Sequence, residues 1–222
     1  MKKNLFWQLL TLVVVALPSV YLWAVWQALP AQVPTHFNSS GQADGYTGRE
    51  HLWLLTLGLP LGTTVLLSVL PYLDPKRRLD GDNANFQKLR LALVALLSGL
   101  ACFSLYLGAH PGTPPGKGLA VLLGTFFVFM GNYLSTVQPN YFVGIRTPWT
   151  LESPAVWART HRIGGMLACV AGALSVAMAF ALPGHLVLPA LLGLTVGTVL
   201  FCYGYSYWLF RQQQQADTAS HS

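Results

Sequence analysis

Six histidines are the first residues in this chain that could bind metal or move a proton. Four of them, His36, His51, His110 and His185, fall in connecting segments or at the ends of apolar runs, and Asp44 and Glu50 lie near the first two. Neutral imidazoles and carboxylates ligate metals, and imidazole titrates close to neutral pH. Yet no two of these residues have a recognised ligand spacing, and each histidine sits in a different segment. Interfacial or capping roles are therefore expected, with no metal site; His36, His51, Asp44 and Glu50 would be its candidates. A second constellation is cationic and aromatic: Arg146, Arg159 and Arg162 with Trp149, Trp157 and His161 in one short stretch.

Other chemistry is sparse. The sequence holds no H-E-x-x-H, G-x-S-x-G or Walker A pattern. Cys102, Cys169 and Cys202 each lie inside an apolar run, where a thiol behaves as a small hydrophobe, and they lack metal or disulfide spacing. Neither an enzyme nor a cofactor is expected.

The elements that position these residues follow from composition. Of 222 residues, 53% are hydrophobic and 9% are charged, against about 25% charged in a soluble domain. Six apolar stretches are long enough to cross a hydrocarbon core of about 30 Å, which takes roughly 20 residues. They run near Leu5–Leu29, His51–Leu73, Leu91–Ala109, Gly118–Val137, Ile163–Leu182 and Leu186–Phe210. The first is too long for a signal-peptide core and lacks a small-x-small cleavage site, so it is expected to stay as an anchor.

Lysine and arginine orient the bundle. With the N-terminus inside, 11 of the 13 basic residues fall on inner segments, and only Arg49 and Lys117 fall outside. The expectation is an all-α polytopic protein of the bacterial inner membrane, with six helices and both termini cytoplasmic. No acidic or basic residue lies well inside an expected span, although ion-coupled transport usually needs such groups at membrane depth. Gly58/Gly62 and Gly193/Gly197 are small-xxx-small pairs expected to let helices approach closely. Pro18, Pro60 and Pro189 are expected to kink their spans. The Lys76–Arg78 run suits contact with anionic lipid.

Two connecting loops are richer than connection requires. In the outer loop, residues 30–50, Val33, Thr35 and Phe37 alternate with other residues before the turn-rich Asn38–Gly41 stretch, and Asp44-Gly45 reads as a second turn. A small hairpin-like lid is expected, with Pro34, His36, Phe37, Asn38, Gly41, Asp44 and Gly45 as its residues of interest. Asn38-Ser39-Ser40 also matches a glycosylation sequon, which matters only in a eukaryotic secretory route.

The inner loop, residues 138–162, carries Asn140, Tyr141, Gly144, Arg146, Thr147, Pro148, Trp149, Thr150, Trp157, Arg159, His161 and Arg162. Ser153-Pro154 is an N-cap and first-turn pair, so a helix should start there with Trp157 and His161 on one face. Gly164-Gly165 is a place for a bend. Tyr141, Phe142, Trp149 and Trp157 are expected at headgroup level, and Glu152 is placed to pair with one of the arginines. Two readings stand: a docking or signalling element for a cytoplasmic partner, or arginines obeying charge asymmetry among interfacial aromatics.

Asn132-Tyr133-Leu134, the run Pro139-Asn140-Tyr141-Phe142-Val143-Gly144-Ile145-Arg146-Thr147-Pro148-Trp149-Thr150-Leu151, then Trp157 and Thr160-His161-Arg162-Ile163-Gly164-Gly165 resemble the signature of the SdpI family of bacterial membrane proteins. Pro34-Thr35-His36-Phe37-Asn38 with Gly41 and Asp44-Gly45 resembles the uncharacterised N-terminal segment often fused to that family. The resemblance implies a two-span unit, residues 1–73, followed by a four-span unit, residues 74–222. It also implies immunity to a secreted peptide toxin met on the outer face, and a receptor role toward a cytoplasmic regulator. The bilayer is the remaining partner, and no direct contact with nucleic acid is expected. The competing expectations are a small-molecule or lipid transporter with a polar midplane cavity near Asn132 and Thr198, and a metal-dependent membrane enzyme.

Overall fold

The computed structural model describes residues 2–38, 40–74 and 80–220. Its helices are α1 (Lys2–Val25), α2 (Leu59–Leu73), α3 (Ala84–Ala109), α4 (Pro115–Leu134), the short α5 (Pro148–Glu152), α6 (Pro154–Ala181) and α7 (Gly184–Ser220). A two-stranded antiparallel sheet, β1 (Gln32–Phe37) and β2 (Ala43–Gly48), joins α1 to the second span. Six segments are long and apolar enough to cross a bilayer, each overlapping one expected span. The chain is a multi-pass membrane protein.

Helix starts differ from the apolar boundaries because good caps extend helices beyond the hydrocarbon edge. The Asn83 side chain accepts the Asn85 N–H at 2.8 Å and starts α3 seven residues before the expected Leu91. Lys88 and Arg90 therefore enter the first two turns of that helix. Arg90, expected in the inner loop, is buried against α2, and its guanidinium donates to the Ser68 hydroxyl at 3.3 Å. Ser153 Oγ accepts the Val156 N–H at 3.3 Å, so α6 begins at Pro154 as its cap predicts. Before α2, residues Leu54–Gly58 form a π-turn closed by the Leu59 N–H on the Leu54 carbonyl. Pro60 lacks the N–H that an α-helix would supply there, which accounts for the widened turn.

The surface is apolar where lipid would lie. Trp23 is 77% exposed and Phe180 79%, side chains that water would not tolerate together but hydrocarbon covers. With lipid as apolar as leucine, helix association must come from close packing instead. The tightest contact is between α4 and α6. Gly124 meets the Gly172 carbonyl, and Gly131 meets the Gly165 backbone, so a Cβ at any of these positions has no room. The expected pairs behave otherwise: Gly58, Gly62, Gly193 and Gly197 have nothing within 4 Å of where a Cβ would stand. Spacing alone cannot distinguish a glycine facing a helix from one facing lipid. Likewise Gly164-Gly165 produces no break in α6; Gly165 serves the contact with α4, and Gly164 faces Ile145 and Cys202.

The even number of spans brings the residue 135–153 loop and both termini to one end of the bundle, and the hairpin to the other. Lys76–Arg78 and Ser39 of the sequon lie outside the described residues. The α4–α6 contact predicts opposite outcomes for two glycines. Gly131→Leu should cost about 1–3 kcal/mol or more through overpacking, whereas Gly193→Ala should change stability by no more than about 0.5 kcal/mol. Thermal unfolding of the detergent-solubilised protein checks both, and equal losses would displace the contact.

Candidate functional site

The loop at residues 138–153 is built by side chains that replace secondary structure. Asn140 is buried, and its amide is fully used. Nδ2 donates to the carbonyls of Gln138 (2.8 Å) and Val143 (3.0 Å). Oδ1 accepts the N–H groups of Phe142 (2.8 Å) and Val143 (2.7 Å). That exhausts its two donors and two lone pairs. Gly144 follows at φ +126°, a conformation that side chains rarely adopt, and a Cβ there would overlap the His161 imidazole. The turn aims the Ile145 N–H at His161 Nε2, 2.9 Å away. Nε2 must therefore be unprotonated. The other nitrogen, Nδ1, lies 2.9 Å from the Trp157 carbonyl and carries the proton. This is a neutral histidine whose tautomer is fixed from both sides.

Trp157 stacks on that ring at 3.9 Å between centroids, and its indole N–H donates to the Val137 carbonyl at 3.0 Å. Both side chains are almost fully buried. The expected shared face of Trp157 and His161 is present, but Trp157 lies beneath the loop and not at headgroup level. Phe142 is also drawn inward, against Phe86, Leu89 and Tyr133. Tyr141 remains exposed, and Trp149 packs against Tyr203 and Tyr207 of α7, each 5.0 Å away.

Thr147 and Thr150 complete the loop as a reciprocal cap of α5. Thr147 N donates to Thr150 Oγ1 (2.9 Å), and Thr150 N to Thr147 Oγ1 (3.2 Å). The hydroxyl protons then run outward: Thr150 to the Ile145 carbonyl (2.8 Å), and Thr147 to Ser206 Oγ (3.0 Å), which itself donates to the Tyr203 carbonyl (2.7 Å). Ser153 Oγ lies 2.6 Å from Gln213 Oε1, a second link to α7. Ser206 and Gln213 escaped the sequence reading because a lone hydroxyl or amide in a long helix carries no spacing signal.

The structure divides the sequence-selected loop residues into two sets. Asn140, Thr147, Thr150, Trp157 and His161 are buried in the network, while Tyr141, Arg146, Pro148, Arg159 and Arg162 are exposed. Arg146 donates to the Tyr141 carbonyl. Among the described residues Glu152 forms no ion pair with Arg146, Arg159 or Arg162, contrary to expectation, because Pro148 and Ser153 confine it to a five-residue helix of its own. A cleft of about 140 Å³ lies between Pro139–Tyr141 and Thr150–Pro154.

At the other end the hairpin is docked. Val33 is completely buried among Leu22, Leu29, Leu52 and Leu105, and it fills the space a side chain at Gly108 would need. Ser104 Oγ donates to the Pro34 carbonyl at 2.8 Å. Asn38 Oδ1 accepts the N–H groups of Ser40 and Gln42, each at 3.0 Å, and Gly41 at φ +78° completes the turn near Phe37. Asp44-Gly45 is not a second turn. It lies within β2, where Gly45 faces His36 across a bulge. Arg49, read from the sequence only as an exception to charge asymmetry, clasps the hairpin's base by donating to the Trp26 and Leu29 carbonyls at 3.3 and 3.2 Å.

The histidines at the hairpin's end of the bundle do not converge. His36 Nδ1 lies 2.5 Å from Asp44, and His51 Nε2 lies 3.8 Å from Glu50. His110 stacks on Tyr106, and His185 is exposed on α7. Among the described residues no three His, Cys, Asp or Glu side chains converge as metal ligands. Two further cavities bear on the expected polar midplane site. One of about 420 Å³ between α4, α6 and α7 is apolar and includes Thr198; Asn132, its expected companion, is exposed elsewhere. The other, about 580 Å³ and polar, lies at the end of α2 and α3 around Gln87 and Arg90 and not at the midplane.

The network predicts where the loop will open. Asn140→Ala removes four hydrogen bonds, each worth about 1 kcal/mol, and should expose Arg146–Thr147 to trypsin in permeabilised vesicles. Gly144→Ala should do the same, while Pro148→Ala leaves cleavage slow. Equal cleavage of all three variants and the parent would mean that the loop is held by something else.

The profile of the SdpI/YfhL protein family matches residues 136–206, and that of a domain of unknown function (DUF1648) matches residues 13–59. Immunity protein SdpI of Bacillus subtilis (strain 168) is 33% identical over 63 residues, which is 28% of this chain. The match spans 30% of that relative's length. No solved structure matches the chain. The locked loop, its helix α6 and most of α7 thus lie within the segment that the SdpI/YfhL profile matches.

Proposed function

We propose that this protein confers immunity to a membrane-active peptide toxin. The observation that carries the reading is the match of its C-terminal segment to an immunity protein, at 33% identity. The physical arrangement is consistent with protection by binding. The hairpin is rigidly seated at one end through Val33 and Arg49, and leaves His36, Asp44 and Tyr46 exposed to a visiting peptide. A peptide that partitions into the bilayer would meet this surface and the apolar flanks before it could assemble.

Sensing is the finer reading. With 11 of 13 basic residues on the termini's side, that end is cytoplasmic under the positive-inside rule. The exposed residues Tyr141, Arg146, Arg159 and Arg162, together with the neighbouring cleft, then form the surface a cytoplasmic regulator would touch. The buried set supplies a rigid platform for them. The two units, residues 1–73 and 74–222, would divide the labour between an outer hairpin and an inner loop.

Expression in a toxin-sensitive bacterium, challenged with a panel of membrane-active peptides, tests immunity. The expected result is survival with the intact chain and loss of survival with Val33→Asp at equal membrane abundance, since an unpaired buried carboxylate dislodges the hairpin. No protection against any peptide in the panel rejects the reading. Arg159→Gln with Arg162→Gln should keep survival and abolish any toxin-dependent transcriptional response. A response that persists in that variant removes the inner-loop role.

A further inference from the structure

The apolar cavity between α4, α6 and α7 combines features that specify a ligand. Its volume is about 420 Å³. A helix about 10 Å across would fit there for scarcely one turn, whereas the lining follows α7 for two turns, from Thr195 to Tyr203, the proportions of a stretch of extended hydrocarbon chain. Phe127, Met130, Ala168, Ala171 and Cys202 contribute to its walls. The threonine hydroxyls in the lining are spent: Thr195 donates to the Leu191 carbonyl and Thr198 to the Leu194 carbonyl, each at 2.8 Å, and Thr147 to Ser206 Oγ at 3.0 Å. Away from its loop end and Tyr203, the lining offers a polar solute few of the partners that even one water needs.

The cavity also has a direction. Val199 and Tyr203 line it while remaining 62% and 53% exposed, so it opens sideways into the surrounding apolar medium. At the loop end it is bounded by Gly144, Ile145, Arg146 and Thr147. The Arg146 guanidinium is exposed, is steadied by the Tyr141 carbonyl, and pairs with no acid among the described residues. Arg159 and Arg162 add positive charge at the same end of the bundle. A chain-shaped apolar slot open to lipid, with an unpaired cation at its headgroup end, is complementary to one kind of molecule.

We propose that this slot binds a phospholipid of net negative charge, with one acyl chain in the cavity and the headgroup phosphate on Arg146. The site joins the loop, α6 and α7, so an occupied slot would brace the loop against the bundle. The site stands or falls independently of any role in immunity.

Native mass spectrometry of the full chain, extracted in mild detergent from membranes containing phosphatidylglycerol and phosphatidylethanolamine, tests the proposal. One phosphatidylglycerol per chain is expected. Retention should fall about tenfold in Arg146→Gln, the loss expected for one charge-assisted hydrogen bond of about 1.4 kcal/mol. Val199→Trp, an exposed position whose enlargement blocks the mouth without burying new bulk, should lose the lipid at unchanged thermal stability. Gly193→Ala should retain it. Equal retention in all variants, absence of bound lipid in the parent, or phosphatidylethanolamine held as firmly as phosphatidylglycerol would overturn the proposal.

Discussion

One hydrogen bond organises the loop-bearing end of this protein: the Ile145 N–H on Nε2 of a neutral, buried His161. It needs three conditions at once. Gly144 must take a positive φ so that the chain turns without a side chain striking the ring. Trp157 must lie flat on the imidazole and exclude water from it. The Trp157 carbonyl must accept from Nδ1, leaving Nε2 free as an acceptor. Because a buried unsatisfied donor or acceptor costs about 1–3 kcal/mol, failure of one condition undoes the others. The arrangement is all-or-none, which suits a loop that must hold one shape while presenting charged groups at its surface.

The lock is useful because it is connected to the bundle. From Ile145 the chain passes into the Thr147–Thr150 cap, and Thr147 reaches Ser206 of α7. His161 itself rides on α6, whose next turn presses Gly164 against Ile145 and Gly165 against α4. A shift of α7 relative to α6 would therefore be felt at the loop directly, through a hydroxyl chain and a glycine contact. At the opposite end, α3 carries Ser104 and Gly108 beneath the hairpin and the buried Arg90 near its other terminus. The two ends thus share helices as well as a bilayer.

Packing follows the rules of an apolar solvent. Large side chains such as Trp23 and Phe180 face outward, and the closest helix contact is made by glycines. Many of the buried polar groups lie at the loop-bearing end, where Asn140, Thr147, Thr150, Ser153 and His161 bond to nearby backbone groups and to Ser206 and Gln213 of α7. This distribution leaves the middle of the bundle mostly apolar, including the cavity around Ala168 and Cys202.

Much of this was legible in the chain itself. Apolar run lengths determined six spans, because roughly 20 residues are needed to cross hydrocarbon and every candidate run met that length. The Ser153-Pro154 start of α6, the hairpin around Asn38–Gly41 and the shared face of Trp157 and His161 follow from local rules that operate within a few residues. What local rules cannot reach is direction. Gly58 and Gly193 have the same spacing signature as a packing glycine, yet face outward; Gly131 and Gly165, each seven residues from a second packing glycine, make the contact. Tryptophan at a helix start suggests an interface, but Trp157 is buried because Val137, fixed by a different helix, supplies the acceptor for its N–H. Arg90 reads as a loop charge until the Asn83 cap draws it into α3. Asp44-Gly45 reads as a turn until the register with His36 absorbs it into a strand. Sequence alone determined which residues are apolar, capped or turn-forming. Only the tertiary structure decided which side of each helix has a neighbour, because that depends on backbones distant in the chain.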